Sequence, residues 1–123
     1  MSLTTARAEL LSTLESADIR SFYGVGVFAA PCARIFPADP WVDLSGLAGG
    51  RRTQRWEVWA VAGRADALAT FDELEALVMK INAAIEGLPN WNRISWRRPG
   101  ITDMGGTKYF ACRGTLETLA EVS

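Results

Sequence analysis

Histidine is absent from this 123-residue chain, and cysteine occurs only twice. The first absence excludes the Ser-His-Asp and Cys-His arrangements, zinc held by imidazole and acid–base catalysis by histidine. A carboxylate or lysine enzyme stays open, with Glu57 or Asp103 acting beside Lys108. Only the presence of those residue types recommends it. Cys32 and Cys112 lie in different segments and outside any Cys-x-x-Cys spacing. Two buried free thiols are therefore expected in place of a disulfide.

Other features are missing too. No run approaches the roughly 18 apolar residues that a membrane span needs. Met1-Ser2-Leu3-Thr4-Thr5-Ala6-Arg7 lacks the basic-then-apolar order of a secretory signal, so synthesis in the cytoplasm is expected. Lys and Arg number 13 against 14 Asp and Glu, a net charge of −1. That balance argues against a general nucleic-acid binder, which carries a basic excess. There is no internal repeat or low-complexity tract. Asp39, Asp43, Asp66, Asp72 and Glu73 do not fall into a calcium-loop spacing, and no cofactor or metal is expected.

What remains is an ordinary globular mixture, 49% hydrophobic and 22% charged. The length favours one domain over residues 1–123. A chain of this size buries roughly two thirds of the surface it exposes when unfolded.

The segment from Arg55 to Glu117 reads as one strand–helix–strand–strand unit. Arg55 to Ala62 alternates, with Trp56, Val58, Ala60 and Ala62 on one face and Arg55, Glu57, Trp59 and Val61 on the other. Both faces carry apolar residues. Helices on one side and a neighbour or partner on the other account for this. Thr70-Phe71-Asp72-Glu73 matches a capping box. After it, Leu74, Leu77, Val78, Ile81, Ile85 and Leu88 form a helical stripe to Glu86. Gly87 suits a left-handed cap, and Pro89 stops the helix. Trp91 to Arg98 and Thr107 to Glu117 read as strands, separated by Pro99-Gly100 and Gly105-Gly106 turn signals.

Before this unit, Ala6, Leu10, Leu14 and Ala17 recur at helical spacing over Thr5 to Ala17, with Leu11 widening the stripe and Thr5 as cap. Phe22 to Ala30 reads as a strand, broken at Pro31. Cys32 to Phe36 reads as a second short strand or an extended arm, and Pro40 to Leu44 suits a further short strand. Ser45 to Thr53, rich in glycine and ending in a basic pair, reads as an exposed loop. The fold class expected is α+β: a mainly antiparallel sheet with two helices packed on one face.

Gly24-Val25-Gly26-Val27-Phe28-Ala29 matches a dinucleotide fingerprint on paper, but that fingerprint needs a strand before it and a helix after it, whereas here a helical stretch precedes and β-favouring residues ending at Pro31 follow. Gly46 to Thr53 lacks the Lys-Ser/Thr ending of a phosphate loop. The pairs Arg51-Arg52 and Arg97-Arg98 read most plainly as solvated charge. The sharper reading is contact with an acidic protein surface, or with DNA passing without being read in sequence. Trp41, Trp56, Trp59, Trp91 and Trp96 are many for this length. Tryptophan serves both cores and interfaces. Loops on a rigid sheet are where binding concentrates. The candidate protein-contact residues are accordingly Trp41, Gly49, Gly50, Arg51, Arg52, Arg55, Trp59, Arg97, Arg98 and Met104.

The layout resembles that of the tail terminator (tail completion) proteins of long-tailed bacteriophages. The helix Thr5–Ala17 leads into an extended segment. Arg55-Trp56-Glu57-Val58-Trp59-Ala60-Val61 runs through a turn into the helix Phe71–Glu86. Leu88-Pro89-Asn90 leads to a strand, and Gly105-Gly106-Thr107-Lys108-Tyr109-Phe110-Ala111-Cys112 opens the last one. The resemblance implies an α+β fold and a structural, non-enzymatic role. It implies a six-membered ring in the virion, on the head-proximal end of the tail tube, assembled in the host cytoplasm. Its implied partners are itself, the major tail tube protein and a head–neck connector or head-completion protein, with DNA passing through the channel. Two alternatives stand beside it. One is a head-closure or neck adaptor protein. The other is a ferredoxin-like, small-molecule-binding regulatory domain, whose regular βαββαβ order the helix-first start does not supply.

Overall fold

The structure, a computed structural model, describes residues 3–24, 26–43, 51–64, 71–89, 91–92 and 94–121, with the backbone alone at 3, 43, 51–52 and 119–121. The chain runs α1 (Leu3–Ser16), β1 (Ser21–Tyr23), β2 (Cys32–Asp43), β3 (Arg51–Arg64), α2 (Phe71–Glu86), β4 (Ser95–Trp96), β5 (Gly100–Met104) and β6 (Thr107–Glu121). The strands form a six-stranded sheet of order β1-β2-β3-β6-β4, with β5 also paired to β6. Among the described residues, only β1 on β2 is parallel. Every other pairing is antiparallel. The expected α+β class, with a mainly antiparallel sheet and both helices on one face, is what the chain adopts.

The period-two pattern of β3 decides which face the helices cover. Trp56, Val58, Ala60 and Ala62 are buried in one cluster with Ala6, Leu10 and Leu14 of α1 and Leu74, Ile81 and Ile85 of α2. Each Leu or Ile there contributes about 2 kcal/mol by leaving water. Two indoles beneath the helices find polar partners on them. Trp91 Nε1 donates to Glu9 Oε1 at 2.6 Å, and Trp96 Nε1 donates to Asn82 Oδ1 at 2.8 Å. Trp56 Nε1 is buried with no acceptor.

α1 ends by handing its last carbonyls to the turn that follows. Asp18 N–H donates to Glu15 O, and Ile19 N–H donates to Leu14 O. Asp18 itself sits at φ 61°. This is a Schellman closure, and the buried Ile19 completes it by entering the same cluster as Leu14.

Several expected boundaries move. Thr5 lies inside the first turn of α1, which starts at Leu3, so it is not the cap. Gly87 is not left-handed, because α2 closes with Leu88 N–H donating to Ile85 O at 2.9 Å. The strand expected over Phe22 to Ala30 shrinks to Ser21–Tyr23, since Gly24 and Gly26 adopt positive φ and turn the chain away. Cys32 to Asp43 is one strand, not two, with an irregular register between Pro37 and Val42. Among the described residues of Trp91 to Arg98, only a bridge at Trp91 and the pair Ser95–Trp96 are in the sheet. Within the expected turn Arg98–Gly106, residues Gly100–Met104 pair with β6, and only Gly105-Gly106 turn. Residues 51–53 of the expected loop belong to β3. The rest of that loop and Thr70 of the capping box lie outside the described residues. Both cysteines are free and buried, as expected.

Candidate functional site

The sheet face turned away from the helices is built from the other half of each alternation. In β2 it carries Cys32, Arg34 and Phe36, and their register partners in β3 are Val61, Trp59 and Glu57. The chain after β1 folds back over part of this face. Gly24 N–H donates to Ile35 O at 2.8 Å. Gly24 and Gly26, at φ +73° and +148°, let the backbone reverse where a side chain would be strained. Phe28 then lands on Tyr109, with ring centroids 5.2 Å apart. Beneath this cover Cys32, Val61 and Ala111 form a small second core. Burial pushes the Cys32 thiol up to about 11, against a smaller opposing pull from Arg34 and Arg20. Burial also raises the Cys112 thiol, which lies on the helix side and donates to Arg97 O at 2.9 Å.

Arg34 is the unusual group on this face. It is 6% exposed. Its guanidinium carbon lies 4.2 Å from the Phe28 ring centroid and 5.0 Å from that of Phe36. Its Nη2 donates to Gly24 O at 3.1 Å, and its Nε has no acceptor. Beside it opens a cavity of about 570 Å³, walled by Phe28, Phe36, Trp59 and Met104 and edged by Glu57 and Asp103. Glu57 is engaged already. It accepts a 2.6 Å bond from Trp59 Nε1 and lies 3.8 Å from Arg113. Asp103 accepts the Gly106 N–H at 2.9 Å, closing the β5–β6 turn.

A second concavity lies on the helix side, between α2 and the β4–β5 connection. It is an open groove of about 910 Å³, lined by Leu74, Val78, Trp96 and Pro99. Phe71 and Met79 stand at its edge, 53% and 66% exposed.

The candidate contact residues are dispersed over these features. Trp59 and Met104 come together in the Arg34 cavity. Arg97 lies in the groove beside α2, and Arg98 is exposed in the same connection. Arg55 pairs with Glu117 at 2.7 Å on the face that carries Trp59. Trp41 lies elsewhere, edge-on to the buried Trp56 at 5.8 Å. Gly49 and Gly50 lie outside the described residues, as do the side chains of Arg51 and Arg52. Sequence reasoning missed Arg34, Phe28 and Phe36. The available signal was a charge flanked by Cys32 and Phe36 at the even positions of a strand. Of the groups weighed for an enzyme, Asp103 and Lys108 are register partners across the β5–β6 hairpin, and Glu57 on β3 edges the same cavity as Asp103.

Among the described residues, no cluster of His, Cys, Asp and Glu has the makings of a metal site. No described helix is long and apolar enough to cross a membrane. No protein-family model matches the sequence, and no curated protein matches it.

Proposed function

We propose that this chain is a structural protein of a phage virion, a tail terminator. It forms a ring, hexameric in this reading, on the head-proximal end of the tail tube. There it stops tube polymerisation and offers a surface to the neck. The observation that carries the reading is the layout: a first helix, an extended crossing, a long central strand running into an amphipathic helix, and a closing hairpin, with both helices on one sheet face. The sheet's other face supports it. Trp59, Arg55, Glu57, Arg113 and Glu117 lie there half-buried, an aromatic and charged surface suited to another protein. The role is assembly, not catalysis, and DNA passes without sequence recognition.

The test is to add the purified chain to polymerising tail-tube protein from the same genome neighbourhood and image the product by electron microscopy. Six-fold rings capping one end, with tube growth halted, support the reading. Uncapped, growing tubes reject it. Trp59→Ala is expected to weaken ring formation more than it weakens the monomer fold. Unfolding of the monomer with assembly intact in the remaining folded material removes Trp59 from the interface.

The cavity beside Arg34 favours one second reading, a regulatory domain that takes a small carboxylate. Its volume suits such a ligand.

A further inference from the structure

Arg34 leaves one charge unbalanced. It is a nearly fully buried cation with an unpartnered Nε, and no ion pair joins it to a carboxylate among the described residues. Burying a cation without an anion is among the costliest arrangements in a protein. The rings of Phe28 and Phe36 return only part of that cost. The cavity it lines therefore has the chemistry to take a carboxylate attached to an apolar neighbour. Of the carboxylates on its walls, Glu57 bonds Trp59 and faces Arg113, and Asp103, exposed at the rim, accepts a backbone N–H and lies opposite Lys108 in register.

The same chain carries the complement of that hollow on its opposite side. Phe71, Asp72, Glu75 and Met79 fall on one side of α2 at helical spacing. All four are exposed, and neither carboxylate makes an ion pair among the described residues. Other exposed acids, such as Glu15 and Glu86, have no exposed large apolar neighbour on their own helix turn. The α2 ridge thus offers acids beside Met79 and the open part of Phe71, whose ring rests edge-on against Phe110 at 5.2 Å, where the hollow offers a cation and aromatic walls.

We propose that the ridge Phe71–Met79 of one copy seats in the Arg34 hollow of the next, with Asp72 or Glu75 pairing the guanidinium. Two different patches of one chain meet in this contact, so it is heterologous, the kind that closes rings. The inference rests on the ring-forming reading above and adds the contact that would hold the ring.

The test uses the full chain with one added cysteine in each of two variants, Ala76→Cys beside the ridge and Thr102→Cys on the hollow's wall. Cys32 and Cys112 are buried and stay silent. A short bis-maleimide is applied to each variant alone and to the mixture, in solution and on tail-tube ends. The expected result is a cross-linked dimer in the mixture and none with either variant alone. The double variant Asp72→Lys/Glu75→Lys, at exposed helix positions, is expected to keep its circular dichroism and to lose at least about tenfold in self-association. Capped tubes without the cross-link overturn the contact and leave the terminator reading standing. The cross-link without capping does the reverse. Normal self-association of the double variant overturns the contact. So does protection of the fold by succinate with no self-association at all, which assigns the hollow to a free acid.

Discussion

The guanidinium of Arg34 lies 4.2 Å from the centroid of the Phe28 ring, and no ion pair neutralises it among the described residues. A buried charge held this way contributes little to stability, because its desolvation offsets what the rings and one carbonyl return. Arg34→Met is therefore expected to unfold in urea within about 1 kcal/mol of the parent, or above it by up to about 2 kcal/mol. A loss larger than about 2 kcal/mol would make Arg34 a structural element of the second core.

Asp18 occupies the left-handed position that ends α1, at φ 61°. Only glycine takes that conformation without steric cost. Asp18→Gly is expected to raise stability by about 0.5–1 kcal/mol, the Schellman bonds being backbone bonds that survive the change. Lys80 Nζ, which donates to the Asp18 carbonyl at 3.0 Å, keeps its acceptor. Thermal unfolding of the two proteins side by side decides the sign.

Gly114 leaves no room for a side chain. A Cβ there would sit 2.8 Å from Ile94 and 2.9 Å from Trp96. Gly114→Ala is expected to cost about 1–3 kcal/mol by overpacking the site where Ile94 and Trp96 close over β6 beside its pairing with β4. Ile94→Ala in the same chain opens the space. The double-mutant cycle should return a coupling of at least about 0.5 kcal/mol, and strict additivity would contradict the contact.

Cys32 makes stability fall in alkali. Its thiol titrates at the ordinary 9.0 when unfolded and at about 11 when folded. Between those values the unfolded chain gives up a proton that the folded chain keeps. The contribution is whole below pH 9 and is lost as pH rises through 11, by about 2–3 kcal/mol. Urea titrations from pH 8 to 11 check this against Cys32→Ala, whose profile is expected to be flatter by that amount.

The elements legible in the sequence were those whose burial is periodic. The α2 stripe of Leu74, Ile81 and Ile85 and the β3 alternation of Trp56, Val58 and Ala60 both point into the helix-side core. Phe22 to Ala30 was misread because its composition suits a strand throughout. The positive φ of Gly24 and Gly26 is set by where the chain must return, not by local preference. β5 was hidden between two turn signals only five residues apart, which read together as one loop. Trp59 and Met104, named from the sequence as contact candidates, both line the hollow, one from β3 and one from the end of β5. Arg34 was not named, because a charge alternating with apolar residues looks solvent-facing. Its burial comes from Phe28, six residues back along the chain, laid over it by the fold.

β3 and β6 stay paired from Arg51↔Glu121 to Arg64↔Tyr109, with one irregularity near Gly63. At about 3.3 Å per residue such a ladder reaches roughly 45 Å. Its rungs lie crosswise to its length. A pull between its far ends loads them in shear, so all must yield together, whereas a pull splaying the strands at one end breaks them singly. The molecule is thus a tie-rod along this axis and a zipper across it. How much force it withstands depends on where it is gripped, independently of its free energy of unfolding.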